Sequence, residues 1–341
     1  MSAQSPTADR MLEIVVPAAR ADELRELLDS DGVAASWLLT ENEDLAVWKA
    51  AVTSRGVERV LDRLEEAFTD EPRFRAILYA LEATLPRYVV RREAGEKAPQ
   101  RVSRAELYED VAGSAALNRM YLIQVALATV VAAVGLARDN TAVVIGAMVI
   151  APLLGPNIAL AMGTTLGDTV LIRRASKTAA VGVGLALGLS LLLGVVAPVD
   201  VGAREITTRT DVGSMDIVLA LASGAAGALA FTGGVSTALV GVMVAIALLP
   251  PTVATGLLLG KGELERGAGA ALLLGINVVC VNLSAVVAFL LQGIRPARWW
   301  EEARSKRATR RALAIWIGSL LLLGGLMALR LWMRQEAGGG V

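Results

Sequence analysis

Two proline-containing segments inside long apolar runs are the residues of this chain best suited to hold a solute. They are residues 151–157 (APLLGPN) and residues 248–252 (LLPPT). Proline removes a backbone donor and clashes with the preceding helical turn, so each segment predicts a helix that is interrupted near its middle. Carbonyls freed in this way can coordinate a cation, and the N-terminus of a half-helix can hold an anion.

The uncharged polar residues of the apolar runs complete this candidate site. No Asp, Glu, Lys or Arg lies deep in a run, so a buried proton-relay carboxylate is not expected. Asn277 and Asn282 are five positions apart in one run and must point in different directions; one could line a cavity and the other join helices. The predicted pathway residues are Pro152, Gly155, Pro156, Asn157, Pro250, Pro251, Thr252, Asn277 and Asn282. The polar residues predicted at helix ends, where a gate could lie, are Asp139, Asn140 and Asp168.

The sequence lacks the residue patterns of the common enzymes. It contains no histidine and a single cysteine, Cys280, which predicts neither a zinc site nor a disulfide within the chain. It also shows no Ser-x-x-Lys pattern, no paired carboxylates and no Walker-type loop. We therefore expect no enzymatic activity, no catalytic residue, no metal and no cofactor. Lysine and arginine balance aspartate and glutamate at 33 each, without a basic domain, so nucleic acid is not an expected partner.

Seven apolar runs approach the length of about 20 residues that a membrane-spanning helix needs. The chain is 55% hydrophobic with a mean hydropathy of +0.55 and only 4% aromatic residues, a composition typical of packed membrane helices. The fourth run is short and only three residues separate it from the fifth, so these two could instead form one interrupted unit. The runs are Tyr121–Ala137, Ala142–Met162, Ala179–Ala197, Ile217–Phe231, Val235–Gly260, Ala268–Leu291 and Leu313–Leu331.

An internal repeat relates the two proline segments. At a shift of 95 residues, residues 144–149 match residues 239–244, and Gly167-Asp168 matches Gly262-Glu263. Between them, Leu154, Pro156, Ile158 and Ala159 match Leu249, Pro251, Val253 and Ala254. Three helices per copy is an odd number, so the second copy would be inverted in the membrane. The predicted membrane core is therefore a 3+3 inverted repeat plus one final helix, with the proline segments meeting near the bilayer centre. Interrupted helices at matching places in inverted repeats point to a binding site; the competing interpretation is two structural kinks without a ligand.

The N-terminal part predicts a soluble α+β domain. Strand patterns at residues 11–16, 33–40, 45–53 and 74–85 alternate with helical patterns at 18–30 and 55–68. The order βαββαβ is that of a ferredoxin-like fold, which hosts regulators, binding modules and assembly domains alike and so assigns no function. Trp37 and Trp48 lie on the two middle strands, where a core or sheet-face role is favoured over ligand stacking.

The distribution of charge predicts the domain boundaries and the topology. The expected parts are a ferredoxin-like domain (1–86), a basic linker and surface helix (87–117) with Ser103 and Glu106 in capping-box positions, a transmembrane core (118–292), and a basic loop with the last helix and tail (293–341). Lysine and arginine concentrate in the linker, near the third helix and in the loop 295–311, which predicts a cytoplasmic N-terminus in a prokaryotic inner membrane. The linker and the loop 295–311 suit anionic lipid headgroups, and a homo-oligomer is expected.

The stretch 140–157 (NTAVVIGAMVIAPLLGPN), followed by Gly163 and Gly167-Asp168, resembles a known family. It is similar to the prokaryotic hydrophobic membrane family called domain of unknown function 389. That family has a GAM-x-I-(S/A)-PL-x-GP run after a Gly-Leu-x-x-(D/N)-(N/S) turn, which corresponds here to residues 135–140. The resemblance covers roughly residues 100–292. It implies an integral membrane protein of this class and supplies no activity.

Two function classes remain open at this point. The first is a transporter or channel for a small neutral or anionic solute, with the N-terminal domain as a regulatory or assembly module. The second is a membrane scaffold or sensor that transports nothing and whose soluble domain binds a ligand or partner. The two classes differ at the proline segments, which would be water-accessible in the first and dry in the second.

The charge asymmetry makes a testable prediction about topology. A reporter fused at Val102 should lie in the cytoplasm and one fused at Arg209 should lie outside, because an odd number of spans separates them. Paired alkaline phosphatase and green fluorescent protein fusions measure this directly. The seven-helix topology is wrong if both positions report the same side.

Overall fold

The computed structural model describes residues 10–29, 32–53, 56–81, 104–233, 237–294 and 313–330. The chain divides into two compact units, residues 1–107 and 108–341. Most of the basic linker and the loop 295–311 lie outside the described residues. The predicted capping box cannot be assigned, because Ser103 lies outside them and the Glu106 side chain is not described.

The first unit contains a four-stranded antiparallel sheet and two helices. The strands are ordered β2-β3-β1-β4, so the two central strands are the third and the first in the chain. A single 3-10 turn at Ala18–Arg20 precedes the first helix. The elements are β1 (Arg10–Pro17), α1 (Ala21–Leu28), β2 (Val33–Glu41), β3 (Leu45–Val52), α2 (Gly56–Phe68) and β4 (Arg75–Ala80).

One face of this sheet and one face of each helix form the core of the first unit. Leu12, Ile14 and Val16 alternate along β1 and are fully buried, as the period of a strand with one covered face requires. Hydrophobic residues of α1 and α2 pack against them. Trp48 is partly buried against this core, which is the structural role favoured from the sequence, and Trp37 on β2 is half-buried.

The second unit is helical throughout its described part. Asn118 caps α4 by accepting a hydrogen bond from the Tyr121 backbone N–H (2.7 Å). The helices are α3 (Arg104–Ser114), α4 (Arg119–Ala137), α5 (Thr141–Ile150), α6 (Leu154–Leu166), α7 (Thr169–Val196), α8 (Arg204–Thr207), α9 (Ser214–Thr232), α10 (Thr237–Gly260), α11 (Leu264–Leu291) and α12 (Leu313–Arg330).

In the part of the chain that the structure describes, five helices are long and apolar enough to cross a membrane: α4, α7, α9, α11 and α12. The pair α5 and α6 passes the same criterion together and is bent by 56° at its break, which makes six. The helix α10 adds a further apolar helix of 24 residues. The helices α9 and α10 are separate helices that pack against each other.

The predicted interruption of the second apolar run is confirmed. Ala151, which precedes Pro152, has an extended backbone (φ −70°, ψ 121°) and ends α5, because proline disfavours the helical conformation of the residue before it. The next helix begins at Leu154, which places Pro156 in its first turn. A missing N–H costs little there, since the first N–H groups of a helix have no intrahelical acceptor.

The predicted interruption of the fifth run is wrong. The helix α10 continues from Thr237 to Gly260 with Pro250 and Pro251 in its interior. A proline inside a helix leaves the carbonyl four residues earlier without its backbone donor. The helix remains continuous here because another helix supplies a donor for one of these carbonyls, as described below.

We predict that residues 11–85 fold as an independent domain, because this part of the chain builds its own core. In that fragment, Leu24→Ala should lower the free energy of unfolding by about 2–4 kcal/mol, since Leu24 is fully buried. The matched control Leu39→Ala should cost less than about 1 kcal/mol, because Leu39 is 53% exposed. Chemical denaturation followed by circular dichroism measures both, and a fragment without a cooperative transition contradicts the prediction.

Candidate functional site

The Ala247 carbonyl on α10 is hydrogen-bonded by a side chain from another helix. Pro251 lies four residues after Ala247 and has no N–H to donate to it. The Asn277 Nδ2 on α11 donates to this oxygen instead, at 2.7 Å. A carbonyl can only accept, so the amide must present its nitrogen to Ala247. The Asn277 Oδ1 is buried and has no hydrogen-bond partner among the described residues.

A second asparagine contact joins α11 to the broken helix pair. The Asn282 Nδ2 donates to the Asn157 Oδ1 at 3.0 Å, and the Asn157 Nδ2 donates to the Leu153 carbonyl at 2.8 Å. Asn157 is therefore paired at both ends of its amide. The two asparagines of α11 thus point to different helices: Asn277 contacts α10, and Asn282 contacts α6.

A cavity of about 220 Å³ lies beside the first of these contacts. Its buried wall includes Ala247, Pro251 and Asn277, whereas its rim includes Thr208 and Leu219, which are exposed. The cavity therefore runs from the surface of the helical unit to the proline pair of α10. Its lining consists of Glu205, Thr208, Arg209, Asp216, Leu219, Ala220, Ala247, Pro251, Leu273 and Asn277.

Three charged side chains line the cavity towards its rim. The Arg209 guanidinium forms an ion pair with the Glu205 carboxylate at 2.9 Å, and both side chains are largely buried. Asp216 accepts a hydrogen bond from the Gly213 backbone N–H (2.8 Å), which caps α9. No ion pair joins Asp216 to a basic residue in the part of the chain that the structure describes. The formal charge of the lining is therefore −1.

Glu205 also connects the cavity to the turn between α4 and α5. The Asp139 Oδ1 accepts a hydrogen bond from the Glu205 backbone N–H at 2.6 Å, and the Thr141 hydroxyl donates to the Glu205 carboxylate. Asp139 has a left-handed backbone (φ 53°), which is uncommon for a residue other than glycine. This turn and α8 are thus fixed to each other at the rim.

The structure brings only part of the predicted pathway into this cavity. Pro251 and Asn277 line it, whereas residues 152–157 and Asn282 do not. Pro250 lies in α10 beside Pro251. Thr252 is fully buried, and its hydroxyl donates to the Leu248 carbonyl of its own helix (2.7 Å). Gly155 faces Ser114, where an added Cβ would lie 2.7 Å from the Ser114 carbonyl oxygen.

The other residues predicted at helix ends are helix caps. Asn140 caps α5 by accepting from the Val143 N–H (3.1 Å), and Asp168 caps α7 by accepting from two backbone N–H groups. Asp168 also accepts a hydrogen bond from the Tyr108 hydroxyl at 2.6 Å. This hydrogen bond, followed by burial, raises the pKa of Tyr108 to about 12, so its phenol remains a neutral donor throughout the physiological pH range.

Sequence reasoning missed Glu205, Arg209 and Asp216 as members of the site. They lie in the connection before α9 and at its first turn, outside the apolar runs. One available signal was the spacing of Glu205 and Arg209 (i, i+4), which predicts an ion pair on a helical turn. That signal identifies a pair without showing that the pair borders a cavity.

The apolar helices, the bent pair and the small N-terminal sheet define a multi-pass helical membrane protein with an N-terminal α+β unit. The chain belongs to the family described as domain of unknown function (DUF389), whose model matches residues 148–283. This region contains the break between α5 and α6, α10 and both asparagines of α11. The resemblance seen in the sequence is thereby confirmed.

A relative from Methanocaldococcus jannaschii supports the same assignment. It is an uncharacterized protein that is 33% identical over 308 residues, which cover 90% of this chain and 95% of the relative. The match therefore includes most of the N-terminal unit as well as the helical unit. No solved structure matches this chain.

The contact between Ala247 and Asn277 predicts a specific coupling of two substitutions. Asn277→Leu should destabilise the protein by about 1–2 kcal/mol, because it leaves the Ala247 carbonyl unpaired in an apolar interior. Pro251→Ala restores a backbone N–H four residues after Ala247. In that background Asn277→Leu should cost about 1 kcal/mol less. Unfolding of the four variants in mixed detergent micelles measures this double-mutant cycle.

The control for this cycle is Ser190→Ala in the same two backgrounds. Ser190 is fully buried, but its hydroxyl donates to the Ala186 carbonyl of its own helix, α7. Its substitution should therefore have the same effect with Pro251 and with alanine at that position. Equal costs of Asn277→Leu in both backgrounds would show that Asn277 does not replace the missing backbone donor.

Proposed function

We propose that this protein is a transporter or channel for a small solute, with the cavity beside Pro251 and Asn277 as its solute site. The carrying observation is that this cavity extends from the surface of the helical unit to the buried Asn277 Oδ1, which is unpaired in the part of the chain that the structure describes. Within a membrane, a backbone carbonyl that lacks its regular helical hydrogen bond is tolerated where it is buried in protein or lines a cavity. We propose no enzymatic role.

The helix boundaries support a 3+3 inverted repeat for this transporter. The helices α4 and α9 are each 19 residues long and begin 95 residues apart, at Arg119 and Ser214. The helices α7 and α11 are each 28 residues long and also begin 95 residues apart, at Thr169 and Leu264. The packing follows the same pattern, since α10 packs against α7 and α6 packs against α11.

The turns that precede the third helix of each copy support the same repeat. Gly167 and Gly262 both have a positive φ (69° and 80°), a conformation that glycine adopts without strain. The Asp168 N–H donates to the Gly163 carbonyl, and the Glu263 N–H donates to the Leu258 carbonyl. These residues correspond at the shift of 95, so the two turns share one hydrogen-bond pattern.

The two proposed copies differ at the cavity. This difference supports a transport mechanism in which the solute site is open to one side of the membrane at a time. In the second copy the cavity lies between Asp216 and Asn277. The corresponding residues of the first copy are Tyr121 and Gly182. An added Cβ at Gly182 would lie 2.1 Å from the Tyr121 hydroxyl oxygen, so the tyrosine fills the equivalent space. One half of the core is thus open and the other is closed.

We extend the proposal to the N-terminal unit and its orientation. The strand order β2-β3-β1-β4 with two helices on one face supports a ferredoxin-like regulatory or assembly domain. The asymmetry of lysine and arginine supports a cytoplasmic N-terminus in a prokaryotic inner membrane. Three further features stay predictions: seven membrane spans, contacts of the linker and the loop 295–311 with anionic lipids, and a homo-oligomer.

The alternative is a membrane scaffold or sensor, and it differs in the hydration of the cavity. For a transporter, Leu273→Cys in a Cys280→Ala background should react with a membrane-impermeant methanethiosulfonate added outside, because Leu273 lines the cavity. The matched control is Leu274→Cys, which should not react because Leu274 is adjacent to Leu273 in sequence but does not line the cavity. A scaffold with a dry cavity predicts that both positions remain unmodified, and that result contradicts the proposal.

The same reagent tests the closed copy from the cytoplasmic side. Thr178 corresponds to Leu273, is buried, and its carbonyl accepts a hydrogen bond from the Tyr121 hydroxyl (3.2 Å). Thr178→Cys should be unreactive in inverted vesicles and should become reactive when Tyr121→Ala empties the space. Labelling of Thr178→Cys that does not depend on Tyr121 would show that the tyrosine does not close this side.

A further inference from the structure

We propose that the cavity beside Asn277 selects a small monocation that carries N–H donors, such as a primary ammonium, over a neutral or anionic solute. This inference rests on the proposed function for its physiological meaning, but it concerns binding and can be tested without flux. It departs from the neutral or anionic solute that the sequence alone left open.

The size of the cavity limits the solute to a few heavy atoms. Its volume of about 220 Å³ is below the range of roughly 300–1,000 Å³ that drug-sized ligands occupy. A solute much larger than this volume would therefore not be enclosed.

The charge of the lining favours a cation. Glu205 and Arg209 compensate each other at 2.9 Å, which leaves the Asp216 carboxylate without a basic partner in the part of the chain that the structure describes. The N-terminus of α9 offsets this charge by at most about half a unit. The lining therefore remains net negative, and an anion entering it would meet repulsion from Asp216 and competition with Glu205 for Arg209.

The hydrogen-bonding groups of the lining favour a donor on the solute. The buried Asn277 Oδ1 is an acceptor without a partner among the described residues, and the Nδ2 of the same amide donates to the Ala247 carbonyl. Asp216 uses one oxygen to cap α9 and has a second oxygen that no described protein group bonds. A primary ammonium carries three N–H donors and a single charge, so it matches both the acceptors and the net charge.

Binding of three probes of similar size to the full-length protein in detergent tests this proposal. The probes are ethylammonium, acetamide and acetate, and isothermal titration calorimetry measures their affinities. Ethylammonium should bind at least about tenfold more tightly than acetamide, and acetate should bind most weakly. Acetate binding as tightly as ethylammonium, or no binding by any of the three probes, overturns the proposal.

Two isosteric substitutions assign the selectivity to the cavity. Asp216→Asn keeps an oxygen to accept from the Gly213 N–H and removes the charge, so ethylammonium affinity should fall about tenfold with little change for acetamide. Asp200→Asn is the matched control, because Asp200 also accepts a backbone N–H (Gly202, 2.8 Å) but does not line this cavity. Equal losses in both variants would show that the effect is a general surface potential and overturn the proposal.

Flux separates this inference from the proposed function. If ethylammonium binds as expected but proteoliposomes show no uptake of it above protein-free vesicles, the cation site holds and transport fails. If the vesicles take up acetate but not ethylammonium, transport holds and the cation selectivity is wrong. Melting temperatures of the two variants within about 3 °C of the unchanged protein establish that lost binding is not lost folding.

Discussion

The lack of an N–H group at Pro251 is the constraint on which the helical core depends. It leaves the Ala247 carbonyl without its backbone donor in the interior of an apolar helix, where an unpaired carbonyl costs about 1–2 kcal/mol. The Asn277 Nδ2 takes the place of that donor at 2.7 Å and thereby fixes α11 against α10 at one position. The same contact orients the amide so that its Oδ1 remains unpaired beside the cavity. Continuity of α10 and polarity of the cavity wall therefore have one cause.

The two proline segments differ in how far their structure could be predicted from the sequence. The break after α5 was predictable, because the residue before Pro152 is pushed out of the helical conformation by a local clash. The continuity of α10 was not predictable, because the donor that satisfies it comes from a residue 30 positions away. The lengths of the apolar runs predicted most of the other long helices. The alternation of apolar residues predicted the four strands of the N-terminal sheet. Each of these signals depends on residues that are close in sequence, whereas the continuity of α10 depends on a contact with another helix.

The candidate site was predictable to a similar extent. Pro251 and Asn277 were found because proline and asparagine are unusual inside apolar runs. Glu205, Arg209 and Asp216 were not found, because charged residues in a connection between spans are ordinary and only the tertiary fold shows that these border a cavity. The first proline segment was expected in the same site, but the Asn157 amide is paired at both ends with protein groups and has no free group to offer a solute.

In the repeat that we propose, the two copies would differ by two exchanges at corresponding positions. Where the first copy has Tyr121 against Gly182, the second has Asp216 and Asn277, so a large aromatic side chain is replaced by two short polar ones. The Tyr121 ring occupies the space beside Gly182, whereas Asp216 and Asn277 line a cavity and give it a charge and an acceptor. Glu205 connects these halves, since it lines the cavity and is also hydrogen-bonded to Asp139 at the turn between α4 and α5. The hydrogen bonds of Glu205 therefore link the turn between α4 and α5 to a wall of the proposed solute site.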